Sequence, residues 1–199
     1  MRTPTPALQT PSQTVGPYFS MILARTDEEA TLAGPDVPGQ RIRVTGRMLD
    51  GRGGHVEDGL LEVWQANAAG RYRHPVDDRD DIPLDPGFTG FGRVKTAFED
   101  GSWVLHTVKP GPVPHPDGGS QAPHLNVIVQ ARGILTPSFT RIYFSDEEAA
   151  NAADVVLQAV DADRRHTLIA RRGDDDGDVA TYAIDIRMQG DDETVFLDW

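Results

Sequence analysis

The chain has 199 residues, of which 38% are hydrophobic and 25% charged, so composition predicts one soluble globular domain with a sizeable core. Nineteen basic against 31 acidic residues give a net charge of -12, which excludes binding of nucleic acid or anionic membrane through the general surface. The absence of cysteine excludes disulfides, thiolate nucleophiles and cysteine metal sites.

The first part of the chain, residues 1–40, is rich in proline and has little hydrophobic periodicity. We interpret it as an irregular N-terminal arm that becomes ordered only by packing against something else. Its opening residues lack the apolar region of a signal peptide, and no apolar run reaches the length of a membrane span. We therefore expect a cytoplasmic protein without membrane contact.

From residue 41 onward, short segments of alternating hydrophobicity are separated by turn signals, which predicts a β-sandwich of short antiparallel strands. The glycines that follow RIRVTGRML predict a hairpin turn over Asp50–Gly54, and Glu99–Gly101 predicts another turn. The predicted strands are RIRVTGRML, GLLEVWQA, SWVLHTV, HLNVIVQA and FTRIYF.

One short helix is predicted after the fifth strand. Ser145 and Glu148 have the spacing of a capping box, and the alanines and the valine that follow fall at helical intervals. The segments RHTLIARR and VATYAIDIRM then predict a last hairpin around the acidic turn GDDDGD. The domain prediction is therefore an arm over 1–40 and a β-sandwich over 41–199.

Local motifs do not reveal a catalytic site. No two of the six histidines stand two or four residues apart, so no local metal-binding pair exists. The aspartates of DDRDD, residues 77–81, are interpreted as a solvated charge run. In HLN, His124 and Asn126 share one face of a strand, where a second histidine would complete a pair of metal ligands. Taken alone, His124 is either a structural histidine or one half of such a pair.

Six longer segments, taken together and in order, resemble the intradiol ring-cleavage dioxygenases, and the resemblance runs from about Thr10 to the C-terminus. The segments are TPSQTVGPYF, LLEVWQANAAGRYRH, PLDPGFTGFGR, HTVKPGPVP, QAPHLNVIVQARG and TRIYF.

The resemblance implies a β-sandwich and, in the members built from two homologous chains, a beta chain that binds non-haem Fe(III) through two tyrosines and two histidines. On this sequence the first histidine ligand matches His124, and the second falls on Asn126. The tyrosine ligands fall at or near Asp80 and on Val113, and an arginine of the motif falls on Gln121. The chain therefore resembles an iron-free alpha chain, with His124 as the remnant of the ligand set and no metal of its own.

The implied reaction belongs to the pair of chains. Protocatechuate (3,4-dihydroxybenzoate) and dioxygen react at the iron of the beta chain, and the ring opens between the hydroxyls to give 3-carboxy-cis,cis-muconate. The resemblance implies that this chain lines the substrate pocket with Thr14, Gly16, Pro17, Tyr18 and Arg132.

Each of these residues has an ordinary structural explanation as well. Gly16 and Pro17 fit a surface turn, Thr14 a local backbone contact, and Tyr18 simple packing. Arg132 fits a surface or interface arginine, although a guanidinium also suits the carboxylate of an anionic substrate.

Two other functions remain open on the sequence. The chain could be a metal-free β-sandwich that serves as a binding or structural module. It could also be an independent enzyme that uses His124 with carboxylates of the DDRDD loop.

Overall fold

The computed structural model describes residues 9–16, 18–24 and 29–198. Within them the chain is mainly β, as predicted. The strands are β1 Glu29–Thr31, β2 Arg41–Leu49, β3 Leu60–Trp64, β4 Phe91–Lys95, β5 Ser102–Val108, β6 Val113–Pro114, β7 Ser120–Gln121, β8 His124–Gln130, β9 Ser138–Phe144, β10 Ile169–Arg172, β11 Ala180–Ala183 and β12 Ile186–Arg187. The helices are α1 Phe19–Leu23, α2 Glu148–Ala153, α3 Val155–Ala159 and a 3-10 turn at Arg165–Leu168.

Ten of these strands form one bent sheet. Nine follow the order β1-β5-β2-β11-β10-β9-β8-β3-β4, and β12 adds to β2. β10 joins the two halves, because it pairs with β9 in parallel at Ile169 and with β11 in antiparallel fashion at Arg171. Side chains from both halves enter a single buried cluster, so the halves pack face to face as a sandwich.

Alternation along the strands explains which face is buried. In β8, Leu125, Val127 and Val129 are buried in the core, whereas Asn126 and Ile128 lie on the other face and are partly exposed. The predicted shared face of His124, Asn126 and Ile128 is therefore confirmed, and His124 is buried because helices and loops cover that end of the face.

The predicted hairpin turn over Asp50–Gly54 is confirmed. The Asp50 amide donates to the Gly54 carbonyl at 2.7 Å, and Leu49 and His55 form an antiparallel bridge across the turn. However, β2 pairs with β5, and β3 pairs with β4 and β8 in the other half of the sheet. The chain crosses between halves here because β3 and β2 contribute apolar faces to opposite sides of the core. The last hairpin is confirmed as β10 and β11.

The capping box at Ser145 is wrong, and the predicted single helix is two short ones. α2 begins at Glu148 with Glu147 as its N-cap residue, and the Ser145 hydroxyl accepts from the Arg172 amide at 2.9 Å instead. Asp154 interrupts the helix and caps α3 instead, accepting from the Leu157 amide at 2.8 Å. α1 was not predicted, and no helix among the described residues has the length and hydropathy of a membrane span.

The arm extends into the sandwich at its C-terminal end. β1 lies within the range 1–40 and pairs in parallel with β5, placing Ala30 opposite Leu105. The predicted division at residue 40 and the packing of the arm on another chain remain predictions.

Candidate functional site

The two ends of β8 carry the residues that sequence analysis selected. At its start, a buried group of polar side chains surrounds His124; we call Tyr72, Gln121, His124, Asn126, Arg141, Tyr143 and Asp154 the inner network. At its end, Arg132 and Gly133 meet the arm; we call Thr14, Asp58, Arg132 and Gly133 the outer corner.

His124 occupies the inner network as a neutral imidazole. Its Nδ1 lies 2.7 Å from the Ala122 carbonyl, which can only accept, so Nδ1 carries the proton. Its Nε2 lies 3.3 Å from the Tyr72 hydroxyl and therefore accepts from it. Burial, followed by the charge of Arg141, lowers the pKa of His124 to about 4.

Tyr72 links the histidine to Asn126. The Asn126 amide nitrogen donates to the Tyr72 hydroxyl at 3.0 Å, leaving the hydroxyl proton for His124. Burial raises the pKa of Tyr72, so the phenol stays protonated and can make this bond. Both imidazole nitrogens are therefore engaged within the protein.

Arg141 forms the other half of the inner network. Its Nε donates to Asn126 Oδ1 at 3.2 Å, and its Nη1 donates to Gln121 Oε1 at 2.8 Å. The Tyr143 hydroxyl, also contacted by Nη1, donates to Asp154 Oδ1 at 3.1 Å. Asp154 is fully buried and also accepts from the Ala122 amide at 2.8 Å. A buried cation and a buried carboxylate thus stand at opposite ends of a chain of hydrogen bonds.

The inner network does not fit a ferric ion. The lone pair of His124 Nε2 is taken by Tyr72, and the amide nitrogen of Asn126 has no lone pair to offer. Val113 is buried and apolar, and the guanidinium of Arg141 would repel a metal cation. Within the described part of the chain, no three His, Asp or Glu side chains are grouped so as to hold a metal.

The DDRDD loop is more ordered than a solvated charge run. Asp77 accepts from Arg79 Nε at 2.7 Å and from the Tyr72 amide at 2.8 Å, and these bonds lower its pKa to about 2. Asp80 is exposed and paired with Arg71, at 2.9 Å from Nη2. These carboxylates support the loop around Tyr72, which argues against an independent metal site made from His124 and this loop.

The outer corner brings together Thr14 and Gly133, which are 119 positions apart in the sequence. The Gly133 amide donates to Thr14 Oγ1 at 2.7 Å, so the arm is attached directly beside Arg132. Gly133 has φ of 94°, a conformation that favours glycine and turns the chain after β8. Arg132 Nε donates to the Asp58 carboxylate.

The remaining predicted site residues follow Thr14 along the arm. The Gly16 carbonyl accepts from the Phe19 amide at 3.2 Å, the spacing of a turn. Tyr18 is 68% exposed and therefore does not pack within this chain, while Pro17 lies outside the described residues. The structure thus unites Thr14 with Arg132; substrate contact by any of the five residues remains a prediction.

Asp58 and Arg141 are the residues that sequence analysis missed. Asp58 had no local signal, because its partner lies 74 positions away. Arg141 lies within the TRIYF segment, but its contacts depend on the pairing of Asn126 with Arg141 across β8 and β9.

Comparison with known proteins agrees with this architecture. A sequence profile of the family described as Dioxygenase matches residues 14–190. The protocatechuate 3,4-dioxygenase alpha chain of Burkholderia cepacia is 47% identical over 96% of this chain and 97% of its own length. The chain belongs to the intradiol ring-cleavage dioxygenase family.

Within the family, this chain is more similar to an alpha chain than to a beta chain. The protocatechuate 3,4-dioxygenase beta chain of the same organism is 40% identical, over 78% of this chain and 67% of its own length. The structure of 3-chlorocatechol 1,2-dioxygenase from Rhodococcus opacus 1CP superposes with a TM-score of 0.63 at 22% identity, covering 90% of this chain and 71% of that one. This last similarity supports the fold.

Proposed function

We propose that the chain is the iron-free alpha subunit of a protocatechuate 3,4-dioxygenase and pairs with a homologous beta subunit that carries Fe(III). The similarity to an alpha chain over nearly the full length carries this proposal. The inner network supports it, because a dioxygenase relative whose own residues do not suit iron needs a second chain to supply the metal.

The proposed reaction is the cleavage of 3,4-dihydroxybenzoate between its hydroxyls. Both atoms of dioxygen enter the product, 3-carboxy-cis,cis-muconate. Iron in the partner makes the bound catecholate reactive toward dioxygen. This chain alone is inactive in the proposal, and its part is to complete the pocket and orient the substrate.

The outer corner is the proposed substrate-facing surface. Thr14, Gly16, Pro17 and Tyr18 form a wall of the pocket, and Arg132 pairs with the substrate carboxylate. The chain carries a net charge of -12, so attraction of an anion requires a local cation. The guanidinium of Arg132, with its side chain 52% exposed, is accessible to a ligand.

The arm is the proposed contact with the beta subunit. In and beside α1, Tyr18, Met21, Ile22 and Leu23 are all exposed, although most such side chains are buried in a monomer. A homologous partner chain would cover this apolar surface and order the arm. We place the complex in the cytoplasm.

Co-expression of this chain with the homologous beta chain tests the proposal. We expect a stable complex with one iron per pair, oxygen uptake on protocatechuate, and formation of 3-carboxy-cis,cis-muconate. Each chain expressed alone is the control. If this chain stays separate and the beta chain is equally active without it, a metal-free binding or structural module becomes the better description.

A further inference from the structure

The register of the sheet places Asp58 opposite Arg132. β3 and β8 pair in antiparallel fashion, with Leu60 opposite Gln130. Continuing this register by two residues beyond the strand ends places position 58 opposite position 132, which matches the observed contact between the two side chains. The pair is therefore set by strand pairing and not by a chance meeting of two loops.

The backbone around Asp58 is firmly held. The Gly59 amide donates to the buried Thr96 hydroxyl at 2.9 Å, and the same hydroxyl donates to the Val56 carbonyl at 2.6 Å. A Cβ at Gly59 would lie 2.4 Å from the Met48 sulfur, so the segment packs closely on the core. The Asp58 side chain is only 17% exposed, against 52% for Arg132. Asp58 is therefore the enclosed member of the pair, on a closely packed segment, and Arg132 is the exposed one.

The contact engages one part of the guanidinium. Arg132 donates through Nε, the nitrogen nearest the side-chain stem, and this contact does not require the terminal nitrogens. The peptide after Arg132 is held as well, since Gly133 donates to Thr14. An arginine anchored at Nε presents its terminal nitrogens in a defined direction, where a carboxylate can accept two hydrogen bonds.

We propose that Asp58 is a positioning residue for Arg132, holding the guanidinium in the orientation that binds the carboxylate of the aromatic substrate. This rests on the proposed function, in which Arg132 faces the substrate. Fixing a flexible arginine before the substrate arrives removes the cost of ordering it during binding. Asp58 thereby contributes to the preference for carboxylated catechols without touching the substrate.

Steady-state kinetics of the complex with the beta chain test this role. Asp58→Asn keeps the size of the side chain but removes its charge, and Asp58→Ala removes both. The matched control is Asp176→Asn, which breaks the exposed pair of Asp176 with Arg43. Protocatechuate is compared with catechol, which lacks the carboxylate, and Asp58→Asn is also combined with Arg132→Ala.

We expect Asp58→Asn to raise KM for protocatechuate about two- to fivefold, the range of a partly exposed ion pair. Asp58→Ala should raise it at least as much. Catechol kinetics and the Asp176→Asn control should stay near the parent values. In the Arg132→Ala background, Asp58→Asn should have no additional effect, because the residue that it positions is gone.

Other outcomes overturn the inference in distinguishable ways. If Arg132→Ala impairs protocatechuate turnover and Asp58→Asn does not, positioning is wrong while the proposed function stands. A lower KM in Asp58→Asn would show that Asp58 competes with the substrate for Arg132. Equal losses with catechol, or an effect that persists without Arg132, would indicate a purely structural role. No effect of Arg132→Ala would overturn both the carboxylate-binding role of Arg132 and the positioning role of Asp58, while the alpha-subunit proposal would still be judged by co-expression.

Discussion

At the start of β8, His124 and its neighbours are buried or partly buried and bonded to one another, whereas beyond its end Arg132 is half-exposed and bonded to the Asp58 carboxylate. The inner network has its donors and acceptors matched within the chain, and its only charges are deep inside. The outer corner keeps a cation at the surface beside the arm. One strand thus carries enclosed polar side chains, which are bonded within the chain, and an accessible cation, which is available to a ligand.

The largest loss of activity is expected from removing residues 1–19. This deletion takes Thr14 from the outer corner and leaves every residue of the inner network in place. We expect the complex with the beta chain to be weakened and most activity to be lost, while the sandwich still folds. Sizing, circular dichroism and oxygen uptake measure the three effects.

Thr14→Val is the matched control for that deletion, because it keeps the arm but removes the acceptor for Gly133. It should reduce activity less than the deletion does. Full turnover by the truncated chain in the complex would show that the arm does not build the pocket.

Substitutions in the inner network should lower the stability of the fold. Asp154→Ala removes a fully buried carboxylate and leaves the buried donors of Ala122, Tyr143 and Leu157 without this acceptor. Each buried donor left without an acceptor costs about 1–3 kcal/mol, so we expect a total loss of about 3 kcal/mol or more. Urea unfolding of the purified chain should show this loss, with the exposed Asp161→Ala as control. A loss below about 1 kcal/mol would contradict the structural role of the network.

The same network should make stability depend on pH. His124 has a folded pKa of about 4, below its ordinary value of 6.5, so the unfolded chain binds more protons between these values. The stabilisation by neutral His124 is therefore fully present above pH 6.5. It is lost as the pH falls toward 4, and the free energy of unfolding decreases by on the order of 3 kcal/mol.

Urea unfolding between pH 4 and 7 measures that dependence. His124→Asn should have a shallower slope of unfolding free energy against pH than the parent chain. The exposed His166→Asn serves as the control and should keep the parent slope. Equal slopes in all three chains would mean that His124 does not titrate as the buried site requires.

Substitutions in the outer corner should affect kinetics with the substrate rather than the stability of the fold. Arg132→Ala removes the partner of Asp58 and, if Arg132 binds the substrate as proposed, a charge-assisted hydrogen bond worth about 1.5–3 kcal/mol. We expect kcat/KM for protocatechuate to fall by roughly ten- to a hundredfold, since about 1.4 kcal/mol corresponds to tenfold.

Iron content and assembly should stay normal in Arg132→Ala, because the residue lies outside the inner network and the proposed metal is in the partner. Catechol should be affected much less, and Arg43→Ala, at another exposed ion pair, should be neutral. Equal losses on both catechols would show that Arg132 shapes the whole pocket instead of binding the carboxylate.

The smallest effect is expected from restoring the second histidine of the family's metal-binding pair. Asn126→His restores the spacing of the two histidines, yet Val113 still offers no ligand and Arg141 still places a positive charge nearby. We expect iron in the isolated variant to remain at the background of the parent chain, without a tyrosinate absorption band. Stoichiometric iron with visible colour would show that a single residue separates this network from a metal site.

Much of the sheet could be predicted because its pattern is local. β2, β5 and β8 show alternating burial over most of their length, and these three strands and β9 each lie within about two residues of their predicted bounds. The hairpin turn after β2 forms as predicted, but the turn residues do not indicate that β2 takes β5 as its long partner instead of β3. Asp154 caps α3 through one carboxylate oxygen, and its other oxygen accepts from Ala122, a contact 32 positions away that the local sequence does not indicate.

The candidate site was predictable only in part, for the same reason. The resemblance selected Thr14 and Arg132, and the structure brings their segments together through Gly133. Asp58 and Arg141 acquire their roles from partners in other strands, so no nearby residue signals them. Their positions follow from strand register, which the sequence by itself does not specify.

The placement of β10 delays closure of the sandwich until late in translation. The strand that joins the two halves begins at Ile169 and needs β11, from Ala180 onward, as its second neighbour. During translation, β2, β3, β5, β8 and β9 therefore leave the ribosome before the sandwich can close, with apolar faces and strand edges open to other chains. A product that stops before Ile169 would be a template for aggregation rather than a smaller working domain. Late elongation is therefore the stage at which chaperone binding would protect the incomplete chain.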